Sequence, residues 1–127
     1  MKSILKLFVL ALLLQSFQCD DDNLPDPITP EQLNLKKQEI VDYIDGFECE
    51  NSENCNTIAL GVKPCGGPTE FLTFPSSVDL NELESMIEAY NQLNTEYNIQ
   101  TNAVSDCAVV LPPQTVECED GGCIIAD

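Results

Sequence analysis

The sequence predicts an α+β domain in which a small antiparallel sheet is packed by one long helix and an N-terminal helix, stapled by disulfides. Two capped segments with helical periodicity, two short strand-like runs bounded by turn residues, and six cysteines within 29–127 support this class. A chain of 127 residues has room for one domain and at most a tail. The expected organisation is a signal peptide over 1–18, an acidic tether over 19–28 and one cysteine-bridged domain over 29–127.

The first predicted helix covers 30–45. Thr29 offers an N-cap hydroxyl, Pro30 suits the first helical position, and Gln32 completes a capping box. Gly46 is expected to end the helix. The apolar stripe of this helix is Leu33, Ile40, Val41, Ile44 and Phe47.

Strand-like runs occur at 57–62 and 70–74, separated by the turn residues 63–68. A third run, 107–111, is ended by two prolines and predicts another strand. In the tail, Asp120-Gly121 is a turn signal, which indicates either a short hairpin or a tight disulfide loop over 118–125.

The second helix is the clearest element. Asp79 caps it, with Glu82 as the box partner, and it should end between Asn98 and Asn102. One face of this helix carries an apolar stripe: Leu80, Leu83, Met86, Ile87, Tyr90, Leu93 and Tyr97. An apolar stripe of this kind is typical of a helix that packs on its own sheet, and a partner-binding helix is the alternative.

The N-terminus has the layout of a secretory signal. Lys2 and Lys6 are followed by an apolar run that ends at Leu14, shorter than the roughly 20 apolar residues of a membrane-spanning helix. This pattern predicts export of the domain.

The residues around Cys19 add a resemblance. Ser16-Phe17-Gln18-Cys19, followed by Asp20-Asp21-Asp22, resembles the start of a bacterial lipoprotein of the Bacteroidota type. The resemblance implies cleavage before Cys19, which would carry the lipid, and an anchor in the outer membrane, with the acidic triplet as a surface-export signal. Because bulky residues stand where the usual lipobox has small ones, full secretion is the alternative. The alternative interpretation of the acidic triplet is that it only keeps the tether hydrated.

With Cys19 set apart, six cysteines remain and predict three disulfides: Cys49, Cys55, Cys65, Cys107, Cys118 and Cys123. Their connectivity stays open, with Cys65–Cys107 and Cys118–Cys123 as the favoured pairs. Zinc ligation by Cys49, Cys55 and Cys65 is disfavoured because they lack CxxC spacing. Two acidic clusters lack a calcium-loop pattern, so no metal or cofactor is expected: Asp20 to Asn23, and Glu117, Glu119 and Asp120.

The charge argues against several function classes. The net charge is −17, with 22 acidic residues against five lysines, and neither arginine nor histidine occurs. Loss of the signal would leave three lysines, a side-chain charge of −19. Nucleic acid is therefore not an expected partner. The chain has neither the commonest general base nor a GxSxG motif, so we expect no enzyme. A carboxylate-based hydrolase is the third-ranked function.

The candidate recognition loop is Lys63, Pro64, Gly66, Gly67 and Pro68, with Cys65 inside it. Its composition indicates a loop of fixed shape, with a tight corner between strands as the alternative interpretation. The leading hypothesis is a lipid-anchored envelope protein that binds an envelope or extracellular protein. A secreted inhibitor of a protease or lysozyme, acting through 63–69, is the alternative.

A second resemblance covers about half the chain. The segments 61–68, Tyr90-Asn91, Tyr97-Asn98 and 104–107 are similar to those of small cysteine-bridged exported bacterial domains. This resemblance implies one bridged domain and no particular activity.

Overall fold

The computed structural model describes residues 26–126, and the predicted signal peptide, Cys19 and tether residues 19–25 lie outside them. The fold is α+β, as predicted. Its elements, in chain order, are α1 (Pro30–Asp45), a 3-10 turn (Ser52–Asn54), β1 (Cys55–Leu60), β2 (Glu70–Pro75), α2 (Leu80–Thr101), β3 (Val116–Glu119) and β4 (Gly122–Ile125).

Helix α1 begins with the predicted capping box. Thr29 Oγ1 accepts a hydrogen bond from the Gln32 backbone N at 3.3 Å, and Gln32 Oε1 accepts one from the Thr29 backbone N at 2.8 Å. Just before the helix, the Gln100 side chain clamps Ile28: its Oε1 accepts from Ile28 N at 3.0 Å and its Nε2 donates to Ile28 O at 3.1 Å. The domain's N-terminal residues are therefore tied to the last turns of α2.

The strands form two separate antiparallel hairpins rather than one sheet. In the first, Leu60 of β1 is opposite Glu70 of β2. In the second, β3 and β4 are joined by the predicted turn, where Asp120 and Gly121 both have positive φ, 50° and 82°. This is the conformation that a two-residue hairpin loop requires, which explains the turn signal.

The predicted strand at 107–111 is wrong. These residues belong to no sheet in the described part of the chain. Cys107 has a φ of 55°, and Asp106 Oδ1 accepts a hydrogen bond from Ala108 N at 3.0 Å. Strand-forming composition reflects packing against a neighbouring strand, and no neighbour is present here.

Both helices and the first sheet enclose the core. Leu83 of α2, Ile40 of α1 and Leu60 of β1 are fully buried. Lys37 of α1 braces this arrangement through hydrogen bonds of 2.7 and 2.8 Å to the Glu70 carboxylate on β2. Of the helices described, none is both long and apolar enough to cross a membrane. The remaining core residues are Leu33, Ile44, Phe74, Val78, Ile87 and Tyr90.

Three disulfides link the chain. Cys65 pairs with Cys107, as predicted, with their Cα atoms 5.7 Å apart. The predicted Cys118–Cys123 pair is wrong. These two cysteines are opposite each other in the second hairpin, but Cys123 bridges to Cys55 at the start of β1 and Cys118 bridges to Cys49 in the connection before it. The second hairpin is thereby stapled beside the first.

Candidate functional site

Three asparagines of α2 hold the backbone that leads into the predicted recognition loop. Asn91 Oδ1 accepts from Gly61 N at 2.8 Å and Asn94 Oδ1 accepts from Val62 N at 2.7 Å. Asn98 Nδ2 donates to Val62 O at 2.7 Å. Positions three and four apart share one helix face, so the three side chains form a ladder. The helical spacing of these asparagines is visible in the sequence, but the contacts they make, 30 to 36 residues away along the chain, are not.

Hydrogen bonds between residues 60 and 69 join the two ends of the loop. Leu60 O accepts hydrogen bonds from both Thr69 N and Thr69 Oγ1, at 3.0 and 2.9 Å. Gly61 lies between them with a φ of 81°, and a Cβ at this position would overlap the Thr69 side chain. Only glycine combines this backbone conformation with the close approach, which ends β1 here.

The loop itself is internally bonded. Lys63 N donates to Gly67 O at 2.9 Å, and Gly66 N donates to Lys63 O at 2.8 Å. Gly66 and Gly67 have φ values of 94° and 81°, which a residue with a side chain rarely adopts. Pro64, Cys65 and both glycines are exposed, whereas Pro68 is half-buried. The structure therefore has a tight loop at the predicted position.

Lys63 braces this loop and is not presented to solvent. Its Nζ donates to Ala108 O at 2.7 Å and lies 3.5 Å from Asp106 Oδ1, and its side chain is only 16% exposed. The Ala108 N–H, followed by the Lys63 charge, holds the pKa of Asp106 below its ordinary value. The cation that the sequence suggested for recognition instead ties the loop to the segment after α2.

That neighbouring stretch, residues 108–113, is called the apolar segment below. Val109 and Leu111 are 81% and 74% exposed, and Val110 between them is half-buried. No charged residue occurs from 107 to 115. The Cys65–Cys107 bridge and the Lys63–Ala108 hydrogen bond hold the start of the segment beside the loop.

Two clefts lie elsewhere on the domain. One, of about 420 Å³, lies between α1, β2 and the second hairpin, with Asp45, Glu48 and Asp120 among its lining residues. The other, of about 450 Å³, is a shallow depression along α2 that carries Glu84, Glu88 and Glu96. Carboxylates line both clefts.

The cysteines do not assemble the disfavoured zinc set of Cys49, Cys55 and Cys65. The sulfur atoms of Cys49, Cys55 and Cys123 lie within 4.8 Å of one another, but all three belong to disulfides. Cys65, the third member of the considered set, is bridged to Cys107 instead.

Comparison of the chain with protein-family models, curated proteins and solved structures returned no match. The loop 61–69 combines exposure, a disulfide and internal hydrogen bonds, and the apolar segment beside it exposes Val109 and Leu111, so these two are the candidate site.

Proposed function

We propose that this chain is a lipid-anchored protein of the cell envelope that binds another protein through the loop 61–69 and the apolar segment. The three disulfides support export, because such bridges form and persist in oxidising compartments. The resemblance around Cys19 supports the anchor and the outer membrane as its location.

The exposed apolar segment supports the binding role. It exposes Val109 and Leu111 within a stretch, 107–115, that carries no charged residue on an otherwise strongly acidic chain, and exposed apolar surface is a candidate for contact with another protein. The bridge and the Lys63 brace fix the N-terminal end of the segment beside the loop, which reduces the conformational freedom lost on binding.

Replacement of Cys19 tests the anchor. We expect the parent protein to fractionate with the envelope and to carry an acylated N-terminal cysteine detectable by mass spectrometry. The Cys19→Ser variant should lose acylation and appear in the soluble fraction, whereas the control Ser16→Ala should behave like the parent. Identical processing and identical release of the parent and Cys19→Ser would contradict the anchor.

A secreted inhibitor of a protease or lysozyme acting through 63–69 is the second candidate. The exposed, internally bonded turn at Gly66 and Gly67 favours it, because enzyme inhibitors present loops of fixed shape. The test is inhibition of a panel of proteases and lysozymes. Gly66→Val should abolish inhibition, since valine is strained at a φ of 94°. Inhibition that survives this change would place the contact elsewhere.

A further inference from the structure

The four cysteines of two neighbouring bridges lie close together. The sulfur of Cys49 is within 4.8 Å of both sulfurs of the Cys55–Cys123 bridge. Its own partner, Cys118, is opposite Cys123 in the second hairpin. These four residues are called the cysteine cluster below. A thiolate released from one of its bridges is adjacent to the other bridge.

The cluster has the geometry for a second pairing of the same sulfurs. Opposed residues of an antiparallel pair share a face, with Cα atoms about 4.5 or 5.5 Å apart, and a disulfide spans about 4.4–6.8 Å. Cys118 and Cys123 are opposed in this way. The sulfurs of Cys49 and Cys55 lie within 4.8 Å, a gap that rotation about χ1 closes. The alternative bridges are Cys49–Cys55 and Cys118–Cys123.

Burial determines where a thiol from solution enters the cluster. Cys49 and Cys55 are only 7% and 8% exposed. Their partners on the second hairpin, Cys118 and Cys123, are half-buried. Because thiol–disulfide exchange requires access to the attacked sulfur, the hairpin cysteines are the points of entry. The leaving thiolate is then the buried cysteine of the attacked bridge.

Charge around the hairpin selects the kind of thiol. Cys118 is flanked by Glu117 and Glu119, and Asp120 follows in the turn, with all three acidic residues exposed. No lysine occurs after Lys63 in the chain. The negative potential of this surface disfavours the approach of an anionic thiol. An uncharged thiol does not meet this repulsion.

We propose that the cysteine cluster is a reaction site for a small uncharged thiol, which exchanges the two bridges and removes the disulfide links between the second hairpin and the region around β1. The thiolate attacks Cys118, forming a mixed disulfide and releasing the Cys49 thiolate. Cys49 attacks Cys55, which forms Cys49–Cys55 and releases the Cys123 thiolate. Cys123 then attacks the mixed disulfide, which forms Cys118–Cys123 and returns the thiol. Entry at Cys123 gives the same products, and the protein is neither oxidised nor reduced overall.

The exchange changes what holds the second hairpin in place. In the structure, the hairpin also receives a hydrogen bond of 2.8 Å from Cys49 N to Gly121 O and donates one of 3.2 Å from Cys118 N to Ser52 Oγ. After the exchange, contacts of this kind remain but the disulfide links do not. Because the hairpin forms one wall of the cleft of about 420 Å³ beside α1 and β2, its release would open that cleft. The exchange requires neither the lipid anchor nor the loop 61–69.

The test uses the exported Cys19→Ser protein, whose remaining cysteines are all in the three bridges. It is incubated near pH 8 with about a tenth of an equivalent of 2-mercaptoethanol, so that most chains cannot be reduced. N-ethylmaleimide then traps free thiols, and mass spectrometry of the peptides identifies the bridges. We expect Cys49–Cys55 and Cys118–Cys123 to appear without a matching rise in trapped thiols, and neither to appear without the reagent.

Cys118→Ala provides a second readout that needs no added thiol. It leaves Cys49 as a free thiol beside the Cys55–Cys123 bridge. Exchange should transfer the free thiol to the more accessible sulfur, so most of the N-ethylmaleimide label should be on Cys123 and not on the buried Cys49. Circular dichroism shows whether the variant retains its fold.

Cys107→Ala is the matched control, since it leaves a free thiol on Cys65. Cys65 lies beyond the far end of β1, and the strand from Cys55 to Leu60 spans about 17 Å. The label should therefore be confined to Cys65.

Three results would overturn the proposal. The first is loss of the two bridges only as pairs of trapped thiols, or no change in them. The second is label confined to Cys49 in folded Cys118→Ala. The third is new bridges that include Cys65 or Cys107 as often as the cluster, which would indicate general scrambling through unfolding.

Discussion

The two disulfides of the second hairpin should stabilise the fold non-additively. Cys49–Cys118 and Cys55–Cys123 span sequence separations of 69 and 68 residues, so they close almost the same loop. The Cys65–Cys107 bridge lies inside this loop and shortens it to a ring of about 27 residues, 49 to 65 and then 107 to 118, so in the chain-entropy treatment the first bridge stabilises the fold by about 3.6 kcal/mol. Once one of the two bridges is present, the other closes only a short ring that includes the first bridge. This ring spans six residues on one side (49 to 55) and five on the other (118 to 123). A ring of about 11 residues corresponds to about 2.8 kcal/mol.

Replacing either pair by alanine should therefore cost about 3 kcal/mol, whereas replacing all four cysteines should cost about 6.4 kcal/mol. The second loss is comparable to the whole stability of a small domain, about 5–15 kcal/mol. Urea denaturation followed by circular dichroism, without reductant, gives the free energy of unfolding for each variant.

The two single-bridge variants are controls for each other, because Cys49 and Cys55 are similarly buried, with 7% and 8% exposure. They should agree within about 0.5 kcal/mol, the usual scatter between comparable substitutions. If each single loss reached about 3.6 kcal/mol and the loss of all four cysteines equalled the sum of the two, the bridges would be independent and would not share one loop.

Three further substitutions test the core, the asparagine ladder and a buried tyrosine. Leu83→Ala, at a fully buried position, should lower the free energy of unfolding by about 2–5 kcal/mol in a urea titration. Asn94→Ala should cost about 1–3 kcal/mol in the same assay, because the Val62 N–H would lose its partner. Burial, and then the charge of Glu70, raises the pKa of Tyr90 above 10.0. The unfolded chain therefore loses this proton first, so stability should fall as the pH rises above 10.0, and Tyr90→Phe should fall less steeply.

Exposed neighbours on α2 provide the controls. Leu80→Ala, at 46% exposure, and Gln92→Ala should each change stability by less than about 0.5 kcal/mol. Equal losses for Asn94→Ala and Gln92→Ala would mean that the ladder contributes nothing. For Tyr90→Phe, a pH profile parallel to that of the parent above pH 10.0 would contradict the titration argument.

The parts of the fold that local chemistry determines were predictable from the sequence. Thr29 and Gln32 lie three residues apart and form their capping box within one turn, so the start of α1 was visible. The turn at Asp120-Gly121 depends only on the φ angles of two residues, and it was also visible.

Features that depend on distant partners were not predictable in the same way. Residues 107–111 have strand composition, but a strand requires a neighbour, and the sequence does not say whether one is present. Cys118 and Cys123 are correctly opposed across a hairpin, yet their bridges depend on where Cys49 and Cys55 lie. Lys63 was expected at the surface, and the carbonyl that binds it, Ala108 O, comes from 45 residues further along the chain.

With a lipid on Cys19, the clamp between Gln100 and Ile28 would limit how far the proposed binding surface lies from the bilayer. Gln100 is two residues beyond Asn98, which holds the loop at Val62, so the tether leaves the domain at the loop's own end of α2. Ile28 follows Cys19 by nine positions, and such a chain spans at most about 30 Å. A lipid on Cys19 would thus restrict the loop and the apolar segment to partners that work close to the membrane, and would raise their effective concentration there.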